Sequence, residues 1–316
     1  MSIGFALLGT GKITDHLAPA LRRAEGAELV AVLSRDAERA EAFIGRHEAT
    51  EAKAYTDLDK LLDDPRVDAV IVATPDGLHM EHAHASLARG KHVLVEKPMT
   101  TSTSDAEVLV YVAAHANLRL GVGYHLRHHA GHKALRERIA NGSLGTIRHG
   151  RIQWTWKAKE DENWRAKGEL GRWWTLAAVG THAIDLARWL LTPLGEPQLV
   201  HATLVAPRWG GREEIACFSL GFREGALVEI FVSNLFASPR RLEICGDEAA
   251  AIGEGTLGPK GGGTILIDAE PLAYEPVDPY QAEIEDFVAA IRDGRPPLAP
   301  GEDGLVNVRY LDEISS

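Results

Sequence analysis

Apolar runs punctuate the first 123 residues at Ile3 to Leu8, Leu29 to Leu33, Ala69 to Ala73, His92 to Val95 and Arg119 to Val122, without strict alternation between apolar and polar positions. Such runs predict strands buried on both faces of a parallel sheet. Between them, Thr14 to Ala24, Ala37 to His47, Leu58 to Leu62, His79 to Ala88 and Asp105 to Ala116 carry apolar residues at three- and four-residue spacing, which predicts helices, with Asp57 and Ser104 as cap residues. Strands and helices alternating at this pitch imply right-handed crossovers and a doubly wound α/β sheet of the Rossmann type.

Beyond Gly123 the pattern changes. A helix is predicted near Ala130 to Ala140. Strand-like segments follow around Ile147 to Trp156, Leu199 to Val205, Ile215 to Gly221, Ala226 to Ser233 and Arg241 to Ile244. The alternation in Leu227, Glu229, Phe231 and Ser233 suits a sheet with one face buried and one presented. Residues 1–123 therefore read as a dinucleotide-binding domain, and 124–316 as a second, mostly antiparallel α+β domain for substrate and self-association. Gly253 to Gly263 reads as a flexible loop or hairpin connection, and Tyr280 to Arg292 as a helix free to pack back on the first domain.

Composition narrows the function classes. A chain of 316 residues with 45% hydrophobic content can fill two cores. A formal charge of −11 argues against a broad hold on nucleic acid or anionic membrane, but leaves room for a small anionic ligand meeting local arginines. Cys217 and Cys245 are far apart and lack metal-ligand spacing, so neither a disulfide framework nor a zinc site is expected. The N-terminus shows no basic leader, and no apolar run reaches the ~18 residues of a membrane span. A reducing cytoplasm is the expected location.

The candidate chemistry begins at the first strand end, where Gly9-Thr10-Gly11-Lys12-Ile13 leads into a helix. Gly9 allows a tight exit from the strand, Gly11 allows backbone to approach a pyrophosphate, and the helix N-terminus offers N–H donors; Thr14 stands where GxGxxG has its third glycine. After the second strand, Ser34, Arg35 and Arg39 suit a ribose 2′-phosphate, hence NADP(H). In the alternative, Ser34 caps a helix, Arg35 is solvated and Asp36 takes the ribose of NAD(H). Thr74 and Pro75 close a further strand where the cofactor floor is expected. His79, His82 and His84 lack a matching carboxylate or cysteine and read as a solvated or cofactor-side helix, not a metal site. Glu96-Lys97-Pro98 ends another buried run and places an ammonium group where it can move a proton beside a nicotinamide.

Gly9-Thr10-Gly11, Ala73-Thr74-Pro75, Leu78-His79, Glu96-Lys97-Pro98 and Gly180-Thr181-His182-Ala183-Ile184-Asp185, in this order, resemble the glucose-fructose oxidoreductase/inositol dehydrogenase/rhizopine catabolism (Gfo/Idh/MocA) family. The resemblance implies a Rossmann domain followed by a large open-faced, mainly antiparallel sheet, use of NAD or NADP, and action chiefly on sugars and polyols. It makes Lys97 the proton donor and a contact to cofactor and substrate, with Glu96 and His79 on the cofactor side. It places His182 beside the substrate as an acid/base or hydroxyl-binding group, with Asp185 three residues on to orient the imidazole or bond substrate. Within the family, Tyr124-His125-Leu126-Arg127, His132, Leu135-Arg136, Ile139-Ala140-Asn141-Gly142 and Asn163-Trp164-Arg165 look most like the 1,5-anhydro-D-fructose reductase branch. That likeness puts His125 and Arg127 at the substrate, Trp164 at cofactor and substrate, and Arg165 at the cofactor.

The chain departs from the family at Ala178, four residues before the histidine, where many relatives carry an aspartate. The expectation is an NADP(H)-dependent sugar oxidoreductase using Lys97 and His182, with Asp185 in support. Two alternatives remain: a sugar–sugar oxidoreductase that keeps its cofactor tightly bound, and a non-catalytic NADP-sensing protein that uses the open sheet to bind a partner. The resemblance further implies a homodimer or homotetramer built through that sheet, whose presented face would otherwise be an apolar patch.

Overall fold

A computed structural model describes residues 2–159, 170–208 and 211–316, which divide into two compact units. One comprises Met1–Gly123 with Tyr280–Val308; the other comprises Tyr124–Pro279 with Arg309–Ser316.

In the first unit, strands β1 (Ile3–Leu8), β2 (Ala27–Leu33), β3 (Lys53–Tyr55), β4 (Ala69–Val72), β5 (His92–Val95) and β6 (Leu120–Val122) form a parallel sheet in the order β3-β2-β1-β4-β5-β6. Phe5, Ala6, Leu7 and Leu8 have no exposed surface, as a sheet covered on both faces requires. Helices α1 (Thr14–Arg23), α2 (Ala37–Arg46), α3 (Leu58–Leu62), α4 (His79–Ala88) and α5 (Thr103–His115) supply the crossovers. Asp57 caps α3 by accepting from the Lys60 N–H at 3.1 Å. The cap of α5 is Ser102, not Ser104: Ser102 has extended backbone that aims its hydroxyl at the Asp105 N–H, whereas Ser104 lies inside the helix. The edge at β6 is closed by residues 299–300, with the Val122 N–H donating to the Ala299 carbonyl at 2.9 Å and Gly121 bridging Pro300. The helix Pro279–Asp293 adds Ile284, Phe287 and Val288 to the core beside Phe5.

The second unit is built on a sheet in the order β14-β13-β12-β11-β7-β10-β9-β8, from β7 (Ile147–Thr155), β8 (Gln198–Val205), β9 (Ile215–Gly221), β10 (Leu227–Ser233), β11 (Arg241–Gly246), β12 (Ala250–Glu254), β13 (Thr264–Ile267) and β14 (Glu270–Pro271). Every pairing is antiparallel except β7 with β10, which run parallel. The loop 255–263 is the connection between antiparallel β12 and β13. Helix α6 (Ala130–Ala140) belongs to this unit, and α7 (Thr181–Leu190) packs on β7 and β10 with all its residues buried. A single π-helical turn, Leu176–Gly180, leads into α7. Alternation along β10 turns Val228, Ile230 and Val232 inward. The other face is mixed and not a continuous apolar patch: Glu229 pairs with Arg151 and Ser219, and Phe231 with Gln153 and Cys217.

Candidate active site

In the first unit, the sequence-predicted residues gather at the carboxyl ends of the parallel strands, where β1 and β4 flank the point at which strand order reverses. Gly9 leaves β1 at φ +106°, and a Cβ there would lie 2.6 Å from the Ala73 carbonyl oxygen. Both facts demand glycine. A Cβ on Gly11 would meet no atom of the described residues within 4 Å, which leaves room over it for a ligand. Thr14 is fully buried, and its hydroxyl donates to the Gly11 carbonyl at 2.6 Å, closing the turn. No side chain caps α1, so the first turn faces the glycine loop with its positive end available to an anion. This loop fits a dinucleotide pyrophosphate.

At the end of β2, Ser34 is buried while Arg35 and Arg39 are exposed. Arg39 donates to the Thr10 carbonyl at 3.4 Å, and Arg35 has no ion-pair partner among the described residues. The helix cap here is Asp36, not Ser34: its carboxylate accepts from the Glu38 N–H at 2.9 Å.

At β4 and β5, Thr74 and Pro75 are half-buried, and the Thr74 hydroxyl bonds His82 Nδ1 at 3.0 Å. Burial lowers the His82 pKa. His79 is 1% exposed, with Nδ1 2.8 Å from the Pro98 carbonyl and Nε2 2.8 Å from the Thr74 carbonyl. Its ring nitrogens thus face backbone. The buried Glu96 carboxylate accepts from the Lys97 N–H at 3.2 Å and leaves no slack at Gly123, whose Cβ would sit 3.2 Å from it. Lys97 is half-buried and precedes a cis peptide bond to Pro98.

In the second unit, His182 is the second residue of α7 and is 4% exposed. Its ring stacks on Trp154 of β7 at 5.7 Å between centroids and meets His125 edge-on at 4.8 Å and Tyr124 at 5.9 Å. The Tyr124 hydroxyl bonds the Thr181 hydroxyl at 2.8 Å, fixing the helix start. Arg127, expected to face substrate, is 3% exposed and grips Asp185 through two bonds: Nε to Oδ2 at 2.9 Å and Nη2 to Oδ1 at 2.6 Å. Asp185 therefore ties α7 to the 125–128 turn. Ala178 lies half-buried in the π-helical turn. Trp164 and Arg165, with Asn163, lie outside the described residues.

Three features of this unit escaped the sequence patterns. Glu213 is buried and accepts through Oε1 from the Trp174 and Leu176 N–H groups at 2.7 and 2.8 Å, anchoring the π-helical turn; burial raises its pKa. Asn234, just after β10, is fully buried, and neither its amide nitrogen nor its amide oxygen has a hydrogen-bond partner among the described residues. His128 is buried beside α6, as is His132, which the branch likeness singles out, and desolvation pushes both down to about 3. No short motif marks such residues, because each acquires its environment from distant chain. Among the described residues, no group of three or more His, Cys, Asp or Glu side chains is placed to hold a metal.

Comparison with known proteins places this geometry. Residues 3–124 match the model of an oxidoreductase family with an NAD-binding Rossmann fold, and residues 132–252 match the GFO/IDH/MocA C-terminal domain. The chain is 30% identical over 313 residues to a 1,5-anhydro-D-fructose reductase of Ensifer adhaerens, covering 95% of this chain and 92% of that one. It is 31% identical to an NADP(+) scyllo-inositol 2-dehydrogenase of Bacillus subtilis over 66% of this chain and 58% of that one. Among solved structures, an aldose-aldose oxidoreductase from Caulobacter crescentus superposes with a TM-score of 0.91 at 26% identity, over 100% of this chain and 97% of that one. A 3-ketoreductase from Actinomadura kijaniata in complex with NADP and TDP-benzene has the same TM-score and coverage at 25% identity. With both domain models matched and a full-length relative at this identity, the protein belongs to the Gfo/Idh/MocA oxidoreductase family.

Proposed function

We propose that this sugar oxidoreductase is NADP(H)-dependent and reduces a keto sugar, or oxidises the matching hydroxyl, with Lys97 and His182 handling the proton. The observation that carries the reading is the meeting of the glycine turn and Lys97 at the same edge of one parallel sheet. When bound there, the nicotinamide supplies or accepts the hydride. The Lys97 ammonium donates a hydrogen bond to the carbonyl oxygen, offsets the charge that develops as the carbon is reduced, and delivers the proton to the alkoxide. On the family resemblance His182 is assigned to a substrate hydroxyl, and the Arg127–Asp185 pair positions its helix. The buried Asn234 carboxamide carries both N–H donors and a carbonyl acceptor, polar chemistry that Ala178 does not provide.

The 2′-phosphate preference rests on Arg35, exposed and without an ion-pair partner among the described residues, and on Arg39, which reaches back to the glycine loop. Asp36, the residue that would take a free ribose hydroxyl, is engaged as a helix cap. Two other readings draw on specific observations. The aldose-aldose neighbour favours a tightly held cofactor shuttling hydride between two sugars, and the methyl group at Ala178 favours a sensing protein.

Loss of nicotinamide absorbance with NADPH and, separately, NADH, against 1,5-anhydro-D-fructose, other keto sugars and inososes, tests all three. Turnover faster with NADPH supports the proposal, and faster turnover with NADH overturns the assignment of Arg35 and Arg39. Cofactor that co-purifies and cycles only when two sugars are present supports the shuttle. Binding of NADPH without turnover across the panel supports the sensor.

A further inference from the structure

Of the three histidines at positions 79, 82 and 84, His79, expected on the cofactor side, occupies a telling place. His79 opens α4 almost entirely out of solvent, and its two ring nitrogens each lie 2.8 Å from a backbone carbonyl, Pro98 on one side and Thr74 on the other. Those carbonyls belong to the loops that follow β5 and β4, the same loops that carry Lys97 and the predicted cofactor floor.

A carbonyl oxygen can only accept. A neutral imidazole has one N–H and one lone pair, so one of two such contacts would set lone pair against lone pair at 2.8 Å. Both contacts are attractive only when both nitrogens carry hydrogen. We propose that His79 is a positioning residue, held as an imidazolium that donates from both ring nitrogens and so fixes the Lys97-Pro98 loop to the Thr74-Pro75 loop.

The other ionisable groups on α4, in the turn before it and in the two joined loops are Asp76, Glu81, His82, His84, Glu96 and Lys97. Burial lowers the pKa of His82, one turn along, against the charge of Glu81, which raises it. His82 is therefore suited to take the Thr74 hydroxyl hydrogen as a neutral acceptor at Nδ1. A positive ring at a helix N-terminus is opposed by the helix dipole, so two charge-assisted hydrogen bonds must hold it there. The consequence is mechanical: Lys97 lies between a strand end and a carbonyl pinned by His79, so the backbone that aims its ammonium group cannot drift relative to Thr74.

The bridge itself does not depend on the enzymatic reading; its effect on turnover does. The protein labelled with ring-15N histidine is recorded at about pH 8, where an ordinary histidine is neutral, alongside H79Q to assign the signal. A histidine whose two nitrogens both show the protonated shift, and which vanishes in H79Q, is the expected result; a neutral-tautomer pattern for His79 overturns the bridge. Hydrogen exchange then reads positioning. H79Q is expected to speed exchange in peptides covering 74–78 and 96–100 and leave the rest unchanged, and equal exchange in both proteins overturns the positioning role. With NADPH and 1,5-anhydro-D-fructose, H79Q should lower kcat roughly 10- to 100-fold, with KM and the NADPH Kd changed by no more than about 3-fold. An unchanged kcat in an active enzyme also overturns the positioning role. Failure of the unsubstituted protein to turn over any keto sugar sinks the enzymatic reading alone, since the spectroscopic and exchange results still decide the bridge.

Discussion

At the scale of single residues, two neighbouring glycines of the first turn do different work, and substitution separates them. Gly9 sits at φ +106° with the Ala73 carbonyl in the place of a Cβ, so Gly9→Ala must move backbone; a loss of about 1–3 kcal/mol in urea unfolding is expected, together with weaker NADPH binding. A Cβ on Gly11 meets nothing within 4 Å among the described residues, so Gly11→Ala should leave unfolding nearly unchanged. Its methyl group enters the space proposed for the pyrophosphate, and the NADPH Kd measured by fluorescence should rise at least about 10-fold, or roughly 1.4 kcal/mol. Equal Kd values for Gly11→Ala and the unsubstituted protein would remove the cofactor from this turn. Lys97 calls for the opposite pattern. Lys97→Ala should lower kcat by roughly 10²–10⁴-fold while NADPH binding stays within about 3-fold, because the ammonium group works on the reacting oxygen. Retained turnover would move the proton donor elsewhere.

At the scale of elements, the sequence revealed those whose burial is uniform and local. β1, β5, α3, α4 and α6 begin and end where periodicity places them, because a strand buried on both faces or a helix with a continuous apolar stripe writes its environment into adjacent residues. β3 has three residues at a sheet edge, too few for a period. The helix Gly301–Ile314 hides behind glycines that argue against helix by propensity. Their function is close approach, since a Cβ on Gly304 would lie 2.6 Å from Val122. The site was legible where a motif carries it, at Gly9, Lys97 and His182. It was not legible in the partnering of Arg127 with Asp185 or the burial of Asn234, which arise from residues far apart in the chain. The buried histidines flanking the start of α6 give this region a pH signature. His128 and His132 titrate near 3 when folded, against 6.5 when unfolded, so between those values the unfolded chain binds more protons. Stability is then complete above about pH 6.5 and falls on acidification, by roughly 1.4 kcal/mol per pH unit for each ring. Urea unfolding from pH 7.5 down to pH 5 should show this slope, and the double variant H128Q/H132Q should flatten it whatever its stability at pH 7.5. An unchanged slope in the variant would mean that these rings are not what makes the fold acid-sensitive.

At the scale of the whole molecule, the presented face of the larger sheet bears on assembly. Its cross-strand rows of Arg151, Glu229 and Ser219 beside Gln153, Phe231 and Cys217 suit a polar, self-complementary contact between copies as well as a solvated face. We propose a homodimer or homotetramer through this sheet, and a monomer in sedimentation at micromolar concentration would exclude it. The chain path sets a second constraint. The polypeptide leaves the first unit after Gly123 and returns at Tyr280, so the dinucleotide-binding fold that the sequence outlines over residues 1–123 is incomplete by itself. The returning segment places Tyr280, Ile284, Phe287 and Val288 in the same apolar cluster as Phe5, Leu17 and Ile71, and residues 299–300 close the edge at β6. Burying an aliphatic or aromatic side chain of this kind contributes about 1.5–3 kcal/mol, so removing four of them costs roughly 6–12 kcal/mol, as much as the whole stability of a typical domain, about 5–15 kcal/mol. A fragment ending at Gly123 should therefore give the collapsed amide spectrum of an unfolded or molten chain and no measurable NADPH binding. A fusion of residues 1–123 to 280–308 through a flexible linker should recover dispersed amide signals and, with them, affinity for the dinucleotide. If the fragment 1–123 folds and binds NADPH as tightly as the intact protein, the returning helix is a cover that the core does not need.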